Sequence, residues 1–265
     1  MIKINGKEFE YHLFPNNEIQ IEPVELIENY DNVVSLRYDN SIDLIMLQLI
    51  KKDIDNRYPM ERARLEMLYI PYERMDRQTK KQMCTCKYIC EIINDMMFDT
   101  VTVLDPHSNV SAALLNNVIQ VSIEDLIYEI MDEVKIDGIF MPDVGAYKKY
   151  SELLEDVKLP KFWGNKHRDL ETGAITDYDI IGNIDVKDKN ILIVDDICVK
   201  GYTTLFGAKK LKELGANKVY FYCSHCEDNI HAGQLLKTDY VDHIYTTNSL
   251  RFDEHDKITI LNTEI

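Results

Sequence analysis

Hydrophobic and polar positions alternate between strand-like and helix-like patterns along this chain. Short apolar runs bounded by turn residues predict strands, and apolar positions three and four residues apart predict amphipathic helices. In the first half they predict strand 33–38, helix 42–54, strand 64–72, helix 80–96 and strand 101–104. In the second half they predict helix 123–134, strand 138–141, helix 145–154, strand 191–194, helix 205–214 and strands 218–223 and 244–246. Strands that alternate with helices favour a mainly parallel sheet in each half.

Two hairpins interrupt this alternation. Residues 2–11 alternate around Asn5-Gly6, a dipeptide typical of two-residue hairpin turns. A charged hairpin is predicted at residues 166–181, with its turn near Thr172 and Gly173. The pattern as a whole predicts an α/β protein of two tandem domains, residues 1–120 and 121–265.

Composition narrows the functional classes. The 265 residues include 30 Lys and Arg against 46 Asp and Glu, a formal net charge of −16. Such an acidic chain argues against non-specific binding to nucleic acid or to a membrane surface. No apolar run approaches the roughly 20 residues that span a bilayer, and the first residues lack the apolar core of a signal peptide. We therefore expect a cytoplasmic protein without nucleic-acid or membrane partners.

The six cysteines show no disulfide-framework spacing, so reduced thiols are expected. Cys223 and Cys226 are spaced like half of a zinc site, but no second Cys/His pair at ligand spacing accompanies them. The sequence leaves open whether these two cysteines bind metal.

The most informative segment is residues 191–204. Four apolar strand residues end in Asp195 and Asp196, and a short glycine-containing loop leads into the helix pattern. In a parallel sheet this places the loop at the carboxyl edge, where ligands bind. Backbone N–H groups at a helix start suit a phosphate, and adjacent carboxylates suit ribose hydroxyls or Mg²⁺.

This segment resembles the diphosphoribosyl-binding signature shared by type I phosphoribosyltransferases and ribose-phosphate diphosphokinases. Other motifs separate these families: Phe-Pro-Asn-Asn-Glu at 14–18, Tyr-Ile-Pro-Tyr-Glu-Arg-Met-Asp-Arg at 69–77, Leu-Asp-Pro-His at 104–107, Met-Pro-Asp-Val-Gly at 141–145 and Lys-His-Arg at 166–168. In that order they are similar to ribose-phosphate diphosphokinase (5-phosphoribosyl 1-diphosphate synthetase), from about residue 9 to residue 247. The resemblance implies two tandem type I phosphoribosyltransferase-like domains, the first on the ATP side and the second on the ribose-phosphate side.

The resemblance also implies an activity and its residues. The β,γ-diphosphoryl group of Mg·ATP would pass to the anomeric hydroxyl of a ribose-5-phosphate-type acceptor, with release of AMP and with Mg²⁺ as cofactor. Lys166 and Arg168 would be catalytic on a flexible hairpin, residues 164–181. Two apart on a strand, they should project to one face, and Gly164 and Gly173 should permit closure. ATP would be bound by Phe14, Asn16, Glu18, Arg74, Asp76, Arg77 and His107. The ribose phosphate would be bound by Asp195, Asp196, Lys200, Gly201, Tyr202, Thr203 and Thr204, and the metal by His107 and Asp143.

In the resembled family the loop that carries Phe14, Asn16 and Glu18 reaches into the active site of a neighbouring subunit. The resemblance therefore implies a homo-oligomer with shared active sites. From the residues alone, an ordinary hairpin turn is an open alternative for this segment.

Two departures from the family bear on substrate. Met75 replaces a glutamine in the Arg-Gln-Asp-Arg segment, which removes one amide near the ATP. The signature loop usually reads Asp-Thr-Gly-Gly-Thr, whereas here it reads Val-Lys-Gly-Tyr-Thr at 199–203. Tyr202 cannot allow the close backbone approach that glycine allows. A lysine and an aromatic ring favour an acceptor whose 5-phosphate continues into a larger group, such as ADP-ribose, with ribose 5-phosphate as a nearly equal alternative.

Two other functional classes are compatible with parts of the sequence. A phosphoribosyltransferase that consumes phosphoribosyl diphosphate shares the signature loop but needs no ATP. A non-catalytic regulatory homologue would only bind partner subunits, although the retained Lys166, Arg168, His107 and Asp195 argue against it.

Overall fold

The computed structural model describes residues 1–28, 30–168, 175–182, 184–250 and 253–263, with only the backbone at 166–168 and 175–177. Contacts divide the chain into two compact units, Met1–Val121 (unit 1) and the residues from Ser122 onward (unit 2). This division lies one residue from the predicted boundary.

Unit 1 is built around a sheet with a parallel centre. Its elements are β1 (Ile2–Ile4), β2 (Lys7–Glu8), β3 (Tyr11–Leu13), β4 (Ile19–Ile21), β5 (Asn32–Leu36), α1 (Ser41–Arg57), β6 (Ala63–Glu66), α2 (Thr85–Asn94), β7 (Val101–Leu104), α3 (Asn109–Ala113) and β8 (Val118–Val121). The sheet order is β2-β1-β5-β6-β7-β8, in which β5 to β8 are parallel and β1 and β2 form an antiparallel edge. Strands β3 and β4 form a separate antiparallel pair.

Unit 2 repeats this plan with a larger sheet. Its elements are α4 (Glu124–Glu133), β9 (Gly138–Met141), α5 (Val144–Leu153), β10 (Lys161–Arg168), β11 (Ile175–Ile181), β12 (Asn190–Cys198), α6 (Tyr202–Glu213), β13 (Lys218–Cys226), the 3₁₀ turns Asp228–Ala232 and Leu235–Lys237, β14 (His243–Thr247) and β15 (Ile258–Leu261). The order is β11-β10-β9-β12-β13-β14-β15, parallel except for the β10–β11 hairpin. The predicted α/β class, with two mainly parallel sheets flanked by helices, is confirmed.

Each unit buries its own apolar core between sheet and helices. In unit 2 the centre of β12 is wholly buried, as expected for a parallel strand covered on both faces. No helix among the described residues combines the length and apolar composition that a bilayer crossing requires.

Several predicted boundaries are wrong. The strand predicted at residues 64–72 ends at Glu66, although Met67 and Ile70 beyond it remain fully buried. The helix predicted at 80–96 begins at Thr85, because Thr79 and Gln82 form a bridge before it. The spacing of apolar residues indicates which positions are buried, and a buried loop can show the same spacing as a strand or a helix.

Tyr178 ties the β10–β11 hairpin to the rest of unit 2. Its hydroxyl, buried within the unit, donates a hydrogen bond of 2.7 Å to the carbonyl of Pro142. A Cβ at Gly164 would lie 2.0 Å from that hydroxyl, and one at Gly207 would lie 3.2 Å from it. Gly164, predicted as a hinge, is paired with Ile180 in the ladder and makes room for the Tyr178 ring.

Substitution of Tyr178 by Phe removes this donor and leaves the buried Pro142 carbonyl without it, at a cost of about 1–3 kcal/mol. We expect the midpoint of thermal unfolding to fall, as measured by circular dichroism. Tyr240→Phe, at a tyrosine 38% exposed, is the control and should leave the midpoint unchanged. An unchanged midpoint in Tyr178→Phe would show that the hydrogen bond contributes nothing to the fold.

Candidate active site

The signature segment extends further as a strand than the sequence predicted. Strand β12 continues through Asp195 and Asp196 to Cys198, and each of its residues except Asp196 pairs with β13. Helix α6 begins at Tyr202, four residues after the strand ends. The loop of residues 199–201 therefore lies at the carboxyl edge of the parallel sheet, where the connection of strand to helix was expected to place it.

Three carboxylates of unit 2 interact at this edge. Asp195 accepts the backbone N–H of Asp196 at 3.1 Å, and Asp196 accepts that of Ile197 at 2.8 Å. Burial, together with the charges of Asp196 and Asp143, raises the pKa of Asp195 well above its usual range. Mutual repulsion of this kind is relieved when a cation or hydroxyl donors bind.

Asp143, predicted as a metal ligand, is the N-cap of α5. Its Oδ1 accepts the backbone N–H of Ala146 at 3.0 Å. The cap also fixes where this carboxylate stands relative to the end of β9.

Lys149 belongs to this group, although no sequence motif predicts it. Its Nζ lies 3.8 Å from Asp196 Oδ2, and both side chains are largely buried. The pair joins α5 to β12, which are far apart along the chain, so no local motif reveals it. Among the side chains that the structure describes, Lys149 is the cation that contacts this carboxylate group, which suits a further cation or hydroxyl donors.

The loop of residues 199–201 is held in close contact with the 3₁₀ turns that follow β13. Gly201 caps α6 with φ 68°, a left-handed conformation that favours glycine. A Cβ there would lie 2.6 Å from Leu235 Cδ2, and one at Gly233 would lie 2.3 Å from the Lys200 carbonyl oxygen. Both the conformation and the space around Gly201 therefore require glycine.

The remaining residues predicted to bind the ribose phosphate differ in exposure. Lys200 is exposed, Thr203 is partly buried, and Tyr202 is 53% exposed at the first residue of α6. Thr204 is buried at 2% exposure. The loop thus exposes a lysine to solvent, and the first turn of α6 exposes an aromatic ring and buries one threonine.

In unit 1, two of the predicted ATP segments are joined by a residue that the sequence analysis did not select. The fully buried Glu73 accepts the backbone N–H of His107 at 2.9 Å. The two segments follow β6 and β7, which are parallel neighbours. Glu73 lies within the matched motif, directly before Arg74, and the sequence predicts no role for it. It positions the segment that carries His107.

The arginines of this motif are on the surface of unit 1. Arg74 is exposed, and the Arg77 Nε lies 3.6 Å from Asp76 Oδ1 with the Arg77 side chain 87% exposed. An ion pair this exposed adds little stability. Arg77 is therefore available to an anionic ligand at small energetic cost.

Phe14, Asn16 and Glu18 lie at the tip of the β3–β4 hairpin. Backbone hydrogen bonds close the turn between Phe14 and Glu18, and Asn16 Oδ1 accepts the N–H of Glu18 at 3.1 Å. Phe14 is 40% exposed and packs edge to face on His12. The hairpin itself carries an exposed aromatic ring, which is more than a connecting turn requires.

Lys166 and Arg168 lie in β10, and the structure describes only the backbone at these two residues. Lys166 pairs with Tyr178 and Arg168 with Ile175 on β11. A register shift between His167 and Arg168 interrupts the regular alternation on which their predicted common face depends. The predicted turn at Thr172 and Gly173 lies outside the described residues.

Asp195 and Asp137 form a matched pair for testing these charges. The Asn190 N–H and then Lys135 hold the pKa of Asp137 below its usual range. Such a carboxylate stabilises the fold above its unfolded pKa, and this contribution is lost as pH falls through the folded pKa. The folded-state pKa of Asp195 is raised, so its effect on stability has the opposite pH dependence. The folded state is favoured while this carboxyl is protonated, and that contribution is lost as pH rises through the folded pKa.

We therefore expect Asp195→Asn to raise the unfolding midpoint of the ligand-free protein at neutral pH and Asp137→Asn to lower it. Each kcal/mol corresponds to roughly 2–4 °C for a chain of this size. The gain from Asp195→Asn should shrink as pH is lowered, because the wild-type carboxyl then becomes protonated. A lower midpoint for Asp195→Asn at neutral pH would contradict the repulsion inferred among the three carboxylates.

Comparison with known proteins agrees with the motifs. No protein-family model matches the chain. A ribose-phosphate pyrophosphokinase of Saccharolobus solfataricus is 25% identical over 266 residues, covering 98% of this chain and 89% of that protein. One of Thermococcus kodakarensis is 28% identical over 223 residues, covering 82% of this chain and 77% of that protein.

A solved structure shares the fold over nearly the whole chain. The phosphoribosylpyrophosphate synthetase of Mycobacterium smegmatis matches with a TM-score of 0.79 and 19% identity, covering 96% of this chain and 86% of that one. Similarity of sequence and of fold along almost the full length identifies this chain as a divergent relative of the ribose-phosphate pyrophosphokinases.

Proposed function

We propose that this protein transfers the β,γ-diphosphoryl group of Mg·ATP to the anomeric hydroxyl of a ribose-phosphate acceptor and releases AMP. Proteins named ribose-phosphate pyrophosphokinase are similar in sequence to this chain over most of its length. The observation that supports the proposal most strongly is the group of Asp143, Asp195 and Asp196 beside the start of α6.

The acceptor is assigned to unit 2. Asp195 and Asp196 accept hydrogen bonds from the ribose hydroxyls, which offsets their mutual repulsion. The backbone N–H groups at the start of α6 have no partners within the helix and suit a phosphate. Lys149 limits the repulsion in the absence of substrate through its contact with Asp196.

The residues present fit a Mg²⁺ ion. Oxygen ligands are what this cation prefers, and burial together with the charges of Asp196 and Asp143 raises the pKa of Asp195, a cost that a bound cation would offset. Asp143 is assigned as a ligand in unit 2 and His107 as a contact in unit 1. When bound, Mg²⁺ neutralises charge on the phosphoryl oxygens.

The remaining roles follow from what each side chain can do. Diphosphoryl transfer is catalysed mostly by positioning and by electrostatic stabilisation. Lys166 and Arg168 neutralise the migrating group, Arg74 and Arg77 contact the triphosphate, and Asp76 orients Arg77. In unit 1, Glu73 holds the backbone of the His107 segment.

Phe14, Asn16 and Glu18 are assigned to the adenine, with Phe14 stacking on the purine and the other two reading its edge. The proposal includes a homo-oligomer in which this loop serves a neighbouring subunit. The exposure of Phe14, Tyr11 and Leu13 on one small hairpin supports it, because monomers rarely leave such residues clustered on the surface.

For the acceptor we favour ADP-ribose over ribose 5-phosphate. Where the resembled family has a glycine, Tyr202 offers a ring that is 53% exposed, and Phe206 one turn later is 39% exposed. Lys200 is exposed beside them. The lysine is placed to meet a diphosphate, and the rings offer a surface for an adenine to stack on.

The acceptor assignment is tested by measuring AMP release from Mg·ATP with ADP-ribose or ribose 5-phosphate, with the products identified by mass. We expect a higher kcat/KM for ADP-ribose, and Tyr202→Gly should reduce this preference by about tenfold or more, the value of one stacked base. Tyr128→Ala, at an exposed tyrosine on α4, should leave the preference unchanged.

Higher kcat/KM with ribose 5-phosphate would assign that acceptor instead. Absence of ATP-dependent AMP release with both compounds would reject the diphosphokinase. Consumption of phosphoribosyl diphosphate without ATP would then point to a phosphoribosyltransferase, and inactivity in all assays to a regulatory homologue.

Replacement of Lys166 by Ala should lower kcat by about 10²–10³, the usual effect of losing one group that stabilises transition-state charge. The unfolding midpoint should change little. Lys158→Ala, at an exposed surface ion pair with Asp156, is the matched control and should keep normal turnover. Near-normal turnover of Lys166→Ala would remove this residue from the mechanism.

A further inference from the structure

Three cysteine thiols from two strands converge inside unit 2. Cys198 is the last residue of β12, and Cys223 and Cys226 belong to β13. Their sulfur atoms all lie within 4.8 Å of one another. The exposures are 2% for Cys198 and 0% for the other two.

Strand pairing accounts for only part of this convergence. Cys198 pairs with Cys226 in the parallel β12–β13 ladder, which places these two side by side. Residues three apart on an alternating strand point to opposite faces. Regular alternation would therefore separate the sulfurs of Cys223 and Cys226, yet the structure brings them together. The cysteine group depends on the local geometry at the end of β13.

The contacts around the sulfurs are weak ones. Cys223 Sγ lies 3.8 Å from Thr246 Oγ1, and Cys226 Sγ lies 3.8 Å from the Glu227 carbonyl oxygen. The three cysteines also pack in the apolar core, with Ile230 among its members, while the charges of His231 and Asp228 act on Cys226. A buried free cysteine commonly serves as a small apolar residue. That role does not require three sulfurs to face one another.

Thiolate ligands select soft cations such as Cu(I) and Zn²⁺. With Zn–S bonds near 2.3 Å, tetrahedral geometry places two thiolate sulfurs about 3.8 Å apart. Separations within 4.8 Å thus need a contraction of roughly 1 Å or less, which small side-chain rotations can supply. No backbone movement is needed to gather the three sulfurs around one ion.

We propose that Cys198, Cys223 and Cys226 bind one thiophilic metal ion, of the Cu(I) or Zn²⁺ class, through their three sulfur atoms. Binding releases the thiol protons to solvent and changes no oxidation state. The ion would link the ends of β12 and β13 immediately before the loop of residues 199–201. This inference is independent of the proposed diphosphokinase reaction.

The test uses the full chain, reduced and freed of metal by a chelator. Zn²⁺ and Cu(I) are titrated separately in competition with a chromophoric chelator, which distinguishes the two ions. We expect one tight equivalent of one or both ions. X-ray absorption at the metal edge should show three sulfur neighbours, and binding should raise the unfolding midpoint.

Variants locate the site. Cys198→Ser should weaken binding by more than about 100-fold, beyond the usual effect of losing an outer-shell partner. Cys84→Ser, at a partly exposed cysteine of unit 1, is the matched control and should bind normally.

The absorption measurement on the wild-type protein does not depend on the folding of any variant. Fewer than three sulfur neighbours, or no stoichiometric binding of either ion, would overturn the proposal. Loss of binding in Cys84→Ser with retention in Cys198→Ser would place the ion elsewhere and would equally overturn it.

Discussion

The organisation of unit 2 depends on the crowding of carboxylates at the end of parallel strands. Asp195 and Asp196 continue a buried strand, and Asp143 acts on Asp195 from the start of α5. Lys149 is the one cation paired with this group among the described residues. Burial and the neighbouring charges raise the pKa of Asp195, so hydroxyl donors or a cation bound at this edge would offset the cost of keeping the carboxylates ionised.

Residues without a direct chemical role hold this edge in place. The Tyr178 hydroxyl ties β11 to the Pro142 carbonyl, next to Asp143, and Gly164 leaves space for the ring. Because Gly201 and Gly233 have no Cβ, the loop of residues 199–201 can pack directly against the 3₁₀ turns. Such close contacts restrict the loop, which under the proposed function would lower the entropy lost when a phosphate binds.

The proposed metal site belongs to the same architecture. Cys198 ends the strand that carries Asp195 and Asp196, so an ion held there would stabilise the base of the loop without contacting the substrate. Unit 1 uses a carboxylate for the corresponding purpose, since Glu73 holds the backbone of His107.

The sequence by itself determined the fold class and most elements, because burial of apolar faces at strand and helix periods is a local property. It also located Asp195, Asp196 and Gly201, whose spacing after an apolar strand is readable directly. The sequence did not predict boundaries such as the end of β6, because a buried loop has the same apolar pattern as a strand. Only the tertiary structure decided the roles of Glu73, Lys149 and Tyr178 and the meeting of Cys198 with Cys223 and Cys226. These contacts join residues distant along the chain, and the packing of different elements alone brings such residues together.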